Sequence, residues 1–552
     1  PPLDQVIARI DAALGAPPFN RLSGIAADGV TLRYRDARAG REWTADDGRI
    51  AVTRAGGRLR LTGDVAVLGG AGLARLAVNA ESGIGETALS FGMELSDLPA
   101  RDIASQSPGL AVLAALDAPI SGALRGVTTA EGALAGLDAT LQIGAGALQP
   151  RPGARAIRFD GARAYFSYDP ARERLIFTEI SVESGAGSGR AEGVAVLEGV
   201  ARGRPEALVA QVVLSDVSAN PLDLFEAPLS LARAEADLRL RLDPFTIEIG
   251  RLQVTDGALL ARASGRIAAE RDGWRLALDA TLPEASPEEV AARWPPQLAP
   301  RAREWFLQNV SAGQVHDGIF ALRRAPGQDR PDLYLDFRFD GAEVRYGGPL
   351  PVMRQASGQF TLYDHRLGVA VTKGTVSPEM GGDLTVTGGS FTIPDTRERP
   401  ARGQVRIEAE GSVTGVLSYL DAEPLRVMDR IGRSPDLASG RAQLSGRLGL
   451  PLKRGLTFGD IDMAFDGTAT DVSSGDIVPG RELAAERLAV RVNPEQVEVT
   501  GRATLQGVPF DGAWRQPIGA NAGPGRVEGR VTLSDAGARA LGIALPQGLV
   551  SG

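Results

Sequence analysis

Hydrophobic and polar residues alternate one for one through most of this sequence. In segment 58–67, for example, Leu59, Leu61, Val65 and Val67 alternate with charged or small residues. A strand with this pattern has one dry and one wet face, as in antiparallel sheets, whereas parallel strands buried on both faces show unbroken apolar runs. The pattern predicts an all-β chain with short helical inserts, built from roughly 25–30 antiparallel strands of ordinary length.

The apolar members of these alternating segments are candidates to line one continuous hydrophobic face. They are Leu59, Leu61, Val65, Val67, Leu238, Leu240, Leu242, Leu276, Leu278, Leu333, Leu335, Phe337, Phe339, Phe360, Leu362, Val405, Ile407, Ile461, Met463, Phe465, Leu488, Val490 and Val492.

The first segment follows the period of a helix instead. Leu3, Val6, Ile7, Ile10 and Leu14 recur at three- and four-residue steps, which places them on one helical face. Gly15 and the two prolines at 17–18 then end the pattern. We therefore predict an N-terminal helix over 3–14.

The central stretch predicts a helical plug between two long β regions. Ser286 and Pro287 favour a helix over 287–293, since serine is a good N-cap and proline suits the first helical position. A second helix is expected near 299–309. Two roles are open for the aromatic side chains of this plug, which could seal a hydrophobic channel or anchor the helices to the sheet. They are Trp294, Trp305 and Phe306.

Short pairs of residues typical of tight turns separate the predicted strands. Glycine tolerates positive φ, and Asp and Asn bond to nearby backbone, so these residues favour turns. The pairs predicted as turns are Asp28-Gly29, Asp160-Gly161, Asp340-Gly341, Gly388-Gly389 and Asn493-Pro494.

Two recurring motifs divide the chain into units of about 120 residues. A Leu-Ser-Asp motif at 95–97, 214–216 and 533–535 is predicted to end a strand and begin a helical insert, and 282–284 and 412–420 occupy equivalent places. Most inserts end in a small residue plus glycine, at 121–122, 312–313, 439–440 and 551–552. Such repetition predicts an array of stacked β-groove units, an elongated, twisted, taco-like solenoid. The predicted units are 1–96 with the N-terminal helix, 97–215, the shorter 216–283, 284–412 opened by the helical plug, 413–534, and the start of a further repeat at 535–552.

Composition argues against several classes of function. The chain of 552 residues is long enough for about three to four domains. It contains no cysteine, which excludes thiol chemistry, cysteine metal sites and disulfides. Its net charge of −8 argues against a nucleic-acid partner, because phosphate backbones call for a basic surface.

No catalytic or cofactor site emerges from the sequence. His316 and His365 are the only histidines, and neither lies beside a Gly-x-Ser-x-Gly motif. The glycine-rich run 185–189 is followed by no helical pattern and has no lysine nearby, so we interpret it as a loop rather than a phosphate site. We therefore predict a protein that is not an enzyme and binds no metal or cofactor.

The central stretch resembles a known family. The run Arg293-Trp294-Pro295-Pro296, followed by Ala302-Arg303-Glu304-Trp305-Phe306 with Asn309 and Gly313, is similar to a signature of the AsmA-like superfamily, YhdP type. Segments 350–360 and 499–507, the latter before Trp514, extend the resemblance over most of the chain, most clearly from 280 to 552.

This resemblance implies a repeating β-groove protein of the bridge-like lipid transfer class. Such proteins are periplasmic, anchored in the inner membrane of Gram-negative bacteria, and implicated in moving phospholipids toward the outer membrane. The sequence has no run of 18 or more uncharged apolar residues, so it contains no predicted membrane-spanning helix and is expected to be a fragment lacking the family's N-terminal anchor. The expected partners are phospholipid and the two membranes.

Two functions fit the alternating pattern. In the first, acyl chains lie along the continuous apolar face and move between inner and outer membranes. In the second, the protein is a scaffold of outer-membrane biogenesis, similar to the TamB relatives, and binds client β-strands by strand addition. A β-helical carbohydrate enzyme and an array of closed two-sheet sandwiches are further alternatives.

Overall fold

The computed structural model describes residues 3–36, 41–69, 72–200, 204–220, 228–256, 259–294, 296, 300–328, 331–347, 350–518 and 523–544. The chain forms two compact units. Unit 1 comprises 1–281, 295–297 and 321–332, and unit 2 comprises 282–294, 298–320 and 333–552. The predicted repeat boundaries are not tested by this division and stay a prediction.

Strands β1 to β18 precede the central helices. They are β1 Gly24–Asp36, β2 Arg41–Ala55, β3 Arg58–Gly69, β4 Gly72–Gly83, β5 Leu89–Pro99, β6 Leu116–Asp117, β7 Pro119–Thr128, β8 Leu134–Ile143, β9 Gly146–Leu148, β10 Ile157–Phe159, β11 Gly161–Asp169, β12 Arg174–Ser184, β13 Gly187–Glu198, β14 Ala207–Ala219, β15 Leu229–Leu242, β16 Phe245–Asp256, β17 Leu259–Glu270 and β18 Gly273–Ala285.

Strands β19 to β30 follow those helices. They are β19 Val310–Arg324, β20 Asp332–Val344, β21 Met353–Tyr363, β22 Arg366–Val376, β23 Leu384–Ile393, β24 Arg402–Ser412, β25 Ser439–Pro451, β26 Asp462–Val478, β27 Arg481–Val492, β28 Gln496–Leu505, β29 Val508–Pro517 and β30 Arg526–Val531.

The predicted antiparallel all-β fold with short helical inserts is confirmed. Within the described ranges, 27 strands belong to one antiparallel sheet, and β6, β9 and β10 form a second, three-stranded sheet. Almost every strand of the large sheet pairs with the strand next to it along the chain, as in β12 with β13 and β24 with β25. None of the helices in the described residues is both long and apolar enough to cross a bilayer.

The helices are short and interrupt the sheet at intervals. They are α1 Leu3–Gly15, α2 Ala100–Ala104, α3 Pro287–Arg293, α4 Pro300–Asn309, α5 Val413–Asp421, α6 Val427–Arg430 and α7 Asp535–Ala540, and 3-10 turns cover Phe19–Arg21, Pro108–Ala115, Pro435–Leu437 and Phe458–Asp460.

The helix predictions from the sequence are confirmed. The Ser286 hydroxyl accepts a hydrogen bond from the Glu289 backbone N–H and begins α3, and Pro287 is its first residue. The helices α1, α4 and α5 lie where 3–14, 299–309 and 412–420 were predicted. Residue 299 and the side chains of Leu3, Val6 and Ile7 lie outside the described residues, as do the insert at 221–227 and the motif at 551–552.

Several predicted turns are instead irregularities inside strands. Asp28-Gly29 lies within β1, Asp340-Gly341 within β20 and Gly388-Gly389 within β23, and each coincides with a shift in strand register. A β-bulge needs the same left-handed or crowded backbone that glycine and aspartate supply in turns. The prediction of turns at these three places is therefore wrong.

The Leu-Ser-Asp motif marks a bulge as well. Asp97 and Asp216 have φ of 54° and 51°, and their strands continue to Pro99 and Ala219. The backbone N–H of Asp97 donates to the hydroxyl of Ser121, 2.9 Å away on the neighbouring strand β7. At this site the Leu-Ser-Asp motif of β5 and the Ser-Gly motif at 121–122 of β7 therefore lie opposite each other at one bulge. The prediction that the motif itself ends a strand is wrong by two residues at 95–97 and by three at 214–216, whereas at 533–535 the strand has ended and Ser534 is the N-cap of α7.

Candidate functional site

Two uninterrupted apolar rows run across unit 1, perpendicular to its strands. Each joins residues that lie directly opposite one another on 15 hydrogen-bonded strands: β1–β5, β7, β8 and β11–β18. Track A consists of Ile25, Val52, Leu61, Ala80, Phe91, Gly126, Leu137, Tyr168, Leu175, Ala195, Ala210, Leu238, Ile249, Gly265 and Leu278. Track B consists of Ala27, Ile50, Gly63, Val78, Met93, Leu124, Ala139, Phe166, Phe177, Gly193, Val212, Ala236, Leu252, Ala263 and Ala280.

Neither track contains a charged residue, and most of their large side chains are half-buried rather than buried. Fourteen strand spacings of about 4.8 Å give each track a contour length of about 67 Å. The other face of the same strands carries charged pairs, such as Arg251 Nε at 3.0 Å from Asp237 Oδ2. Unit 1 therefore presents two long, charge-free rows on one face of its sheet.

Unit 2 carries two similar rows. Track C crosses β20–β26 and consists of Phe337, Phe360, Val369, Phe391, Val405, Leu448 and Met463. Track D crosses β20–β28 and consists of Phe339, Gly358, Val371, Gly389, Ile407, Gly446, Phe465, Val492 and Val497. The rings of Phe337 and Phe360 are stacked, with centroids 4.8 Å apart and an interplanar angle of 11°.

Helices cover one end of each unit's apolar face. In unit 1, Ile10 and Leu14 of α1 pack against Leu59 and Leu89. In unit 2, α5 and α6 pack over Met463 and Phe465, which are 1% and 2% exposed. From β20 to β25 the residues of Track C are half-buried. The uncovered part of the unit 2 tracks therefore lies on these six strands.

A tyrosine pair lies beside the covering helix of unit 2. The hydroxyls of Tyr346 and Tyr419 lie 3.3 Å apart, and burial raises the pKa of both phenols. Tyr419 belongs to α5 and is buried in the cluster that holds Met463. The two neutral hydroxyls satisfy each other, so the cover needs no charge.

The residues predicted to line the apolar face fall at several places on it. Leu61, Leu238 and Leu278 lie on Track A; Phe337, Phe360, Val405 and Met463 on Track C; and Phe339, Ile407, Phe465 and Val492 on Track D. Leu59 lies under α1 and Ile461 in the cluster under α5; Val65, Val67, Leu240, Leu242, Leu276, Leu333, Leu335, Leu362, Leu488 and Val490 flank the tracks on the same side of their strands.

The central aromatic residues form a small cluster of their own. The rings of Trp294 and Phe306 have centroids 5.8 Å apart, and Arg303 Nε donates to the Trp294 carbonyl oxygen at 3.0 Å. Trp305 is 47% exposed. These contacts hold α4 against the end of α3, and they decide neither of the two roles predicted for the plug.

Sequence reasoning missed several members of the tracks. Val369 stands between Gly368 and Ala370, Phe391 between Ser390 and Thr392, and Leu448 is followed by Gly449, so their segments show a weak alternation. Only the strand register shows that each lies directly opposite a predicted member. The signal that could have found them is the register itself.

Residues 144–160, between β8 and β11, form a strap across the apolar face of unit 1. The sheet here has two rims: the first holds the turns β12–β13 and β16–β17, and the second holds β15–β16 and β17–β18. The strap leaves and rejoins the first rim, where Gly144 N–H donates to Pro119 O at 2.9 Å and Asp160 N–H to Glu183 O at 2.7 Å. Its bases are therefore tied to the first rim.

The tip of the strap lies at the second rim. Ala154 is 1% exposed and packs in a cluster with Phe245 and Ala269. Trp274 Nε1 donates to the Arg155 carbonyl oxygen at 2.7 Å, and a Cβ on Gly153 would overlap the backbone of the β17–β18 turn. Both tracks run between the two rims, so the strap crosses over them.

The length of the strap shows that this face is concave. The eight residues from Gly161 to Gly153 span at most about 29 Å when fully extended. On a flat sheet, six strand spacings sideways and at least eight residues along a strand would separate Gly161 from the β17–β18 turn by roughly 40 Å. Between β11 and β18 the sheet must therefore curl and bring its rims closer together, with Tracks A and B on the inside.

Carboxylates lie beside both ring nitrogens of His316. His316 Nε2 lies 2.8 Å from Asp340 Oδ2, and His316 Nδ1 lies 3.1 Å from Asp317 Oδ2. These hydrogen bonds, first to Asp340 and then to Asp317, raise the pKa of His316. Both ring nitrogens face carboxylates, so this imidazole has no nitrogen free to take a proton from a serine. No group of three or more potential metal ligands occurs among the described residues.

Searches against protein-family models, curated proteins and solved structures found no match to this chain.

Proposed function

We propose that this protein carries the acyl chains of phospholipids along the apolar tracks of its two units. The observation that carries the proposal is the pair of charge-free rows that cross 15 strands of unit 1, on the face that is concave between β11 and β18. Apolar faces of this extent are rare on proteins that bind nothing. A half-buried face of this length suits a long, flexible apolar ligand.

The energetics favour an acyl chain as that ligand. Removing one methylene from water is worth about 0.8 kcal/mol, so a chain of ~16 carbons gains roughly 13 kcal/mol by staying on an apolar surface. A break in the surface would expose part of the chain and raise a barrier to its movement. An unbroken row of opposed apolar residues supplies the required path, and the charged head group stays on the solvent side.

The route between inner and outer membranes follows from the AsmA-like resemblance and belongs to the proposal. In that setting the protein is a periplasmic bridge, anchored in the inner membrane in its full-length form. The tracks provide a path but no source of energy, so the driving force for net flux comes from elsewhere.

Site-specific photo-cross-linking tests the proposal. A benzophenone amino acid replaces Phe177 on Track B or Phe337 on Track C, and the protein is irradiated with vesicles of phosphatidylethanolamine and phosphatidylglycerol. We expect lipid adducts at both positions, because both side chains lie on an apolar track. The matched controls are Arg174 and Arg338, exposed residues on the opposite face of the same strands. Equal labelling of tracks and controls, or no labelling anywhere, would contradict the proposal.

One observation favours the alternative of a scaffold for client strands. All six residues of β30 are exposed, and within the described part of the chain this strand pairs with β29 alone. A free strand edge can accept another chain by strand addition. A client peptide that binds β30 after complete delipidation, while Phe337 gives no lipid adduct, would favour the scaffold.

A further inference from the structure

The strap over unit 1 has bases and a tip of different character. At the bases, β9 and β10 pair with each other and β9 also with β6, in regular backbone ladders. At the tip, contact with the second rim rests on the burial of Ala154, the bond from the Trp274 indole, the close approach of Gly153 and an ion pair. That ion pair joins Arg151 and Asp243 at 3.6 Å, with both side chains partly exposed.

A segment with ladder-bonded bases and a tip held by side-chain contacts can open without unfolding the sheet. The two bases are fixed to the first rim by backbone hydrogen bonds. Opening the tip would withdraw Ala154 from its cluster with Phe245 and Ala269 and leave the strand ladders intact. The strap is thus built as a latch.

The position of the latch gives it a consequence for ligand. The strap crosses both tracks between β11 and β17, on the concave side. A phospholipid that approaches these strands from the solvent side of the concave face meets the strap first. While Ala154 is packed with Phe245 and Ala269, the strap occupies the space over the tracks that an acyl chain would need.

We infer that residues 144–160 are a gate over the concave apolar face of unit 1. The tip at 151–155 must move away from the second rim before phospholipid can load onto Tracks A and B. This inference rests on the proposed function. The inference adds a moving element to that function. The ligand path in unit 1 is closed while the tip contacts the second rim, and it opens when the tip is released.

The absence of cysteine in the chain allows a clean test. Arg151→Cys with Asp243→Cys places a thiol on each side of the latch, and a short bis-maleimide locks it. The matched control is Glu198→Cys with Arg239→Cys, an ion pair at 2.6 Å that joins two strands and does not involve the strap. Both pairs carry the benzophenone at Phe177, and in parallel samples at Phe337, and both are mixed with the same vesicles.

We expect the locked latch to slow lipid labelling at Phe177 on the order of tenfold, as for a lid that limits ligand access. Labelling at Phe337 in unit 2 should be unchanged, and the control cross-link should change neither. Normal labelling at Phe177 with the latch locked would overturn the gate and leave the proposed function standing. Absence of labelling at both positions in the uncross-linked protein would overturn both.

A second measurement reports the movement of the tip directly. Ala154→Cys places a thiol in the buried cluster, and Ala171→Cys places one in the exposed β11–β12 turn. Without lipid, maleimide should label the Ala154→Cys protein much more slowly than the Ala171→Cys protein, and vesicles should speed only the former. A thiol at 154 that stays unreactive while lipid labels Phe177 would contradict a latch that opens.

Discussion

At the scale of single residues, the apolar face depends on aromatic rings laid over glycines of the next strand. Phe91 lies opposite Gly126, Phe339 opposite Gly358, and Phe465 opposite Gly446. A side chain at any of these three glycines would occupy the space of the phenylalanine ring opposite it. The ring covers the bare backbone and keeps the row apolar where it would otherwise expose peptide groups.

Substitution of Gly446 tests this arrangement. In Gly446→Val the new Cβ would overlap the Phe465 ring, which is 2% exposed and has no room to retreat. We expect a loss of about 1–3 kcal/mol in the free energy of unfolding, as for other overpacked cores. The measurement is urea unfolding followed by circular dichroism.

The control for this substitution lies three residues along the same strand. At Gly449 a Cβ would lie 3.7 Å from the Asp462 Cβ, an ordinary contact, and φ is not in the left-handed region. Gly449→Ala should therefore leave the unfolding midpoint nearly unchanged. Equal destabilisation by the two substitutions would show that loss of glycine itself, rather than collision with the ring, is the cause.

At the scale of elements, alternation predicts which side chains share a face but not where a strand bends. Asp28-Gly29 and Asp340-Gly341 have the sequence of a hairpin turn, and both lie in the middle of a long strand. The local preference for a left-handed backbone is the same in a turn and in a bulge. The two cases differ in strand pairing. At a bulge the same strand continues on both sides, and that pairing is set by tertiary contacts rather than by the local sequence.

The strap was beyond sequence reasoning for a different reason. Residues 149–155 contain two prolines and a glycine and follow neither the period of a strand nor that of a helix. Their contacts with Phe245 and Trp274 join positions far apart in the chain, which no local pattern encodes. By contrast, α3 was predictable to the residue, because its N-cap, its proline and its capping glutamate are all local signals.

A left-handed aspartate inside a strand offers a test of how the bulges are fixed. Asp471 in β26 has φ of 52°. Glycine adopts this conformation freely, whereas a β-branched side chain is strained there by about 1–2 kcal/mol. Asp471→Gly should therefore keep the stability of the protein, and Asp471→Val should lower the free energy of unfolding by about that amount.

Asp462 in the same strand is the matched control, because it is exposed and has no left-handed backbone. Asp462→Val should cost little in the same thermal or urea unfolding measurement. If Asp471→Val unfolds at the same midpoint as Asp471→Gly, the left-handed backbone is not what fixes the bulge.

At the scale of the whole molecule, the pairing pattern predicts that disturbances stay local. In the described part of unit 1 the strands of the large sheet pair with their immediate neighbours, and few other contacts join distant strands. Stability in such arrays is a sum of terms between neighbours rather than one cooperative core. The strap is an exception, because it joins β8 and β11 to the β15–β16 turn and the β17–β18 turn.

Hydrogen exchange on a variant of Track A tests this locality. Leu238→Asp places a charge on the apolar face of β15, where no partner can satisfy it, and should weaken β14–β16 by about 1–3 kcal/mol. Deuterium uptake should rise in those strands and stay unchanged in β2–β4 of the same unit, because only neighbouring ladders share the lost stability. Arg241→Asp, on the exposed opposite face of β15, is the control and should change neither region. An increase that spreads to β2–β4 would mean that unit 1 opens as one cooperative body rather than by local steps between neighbouring strands.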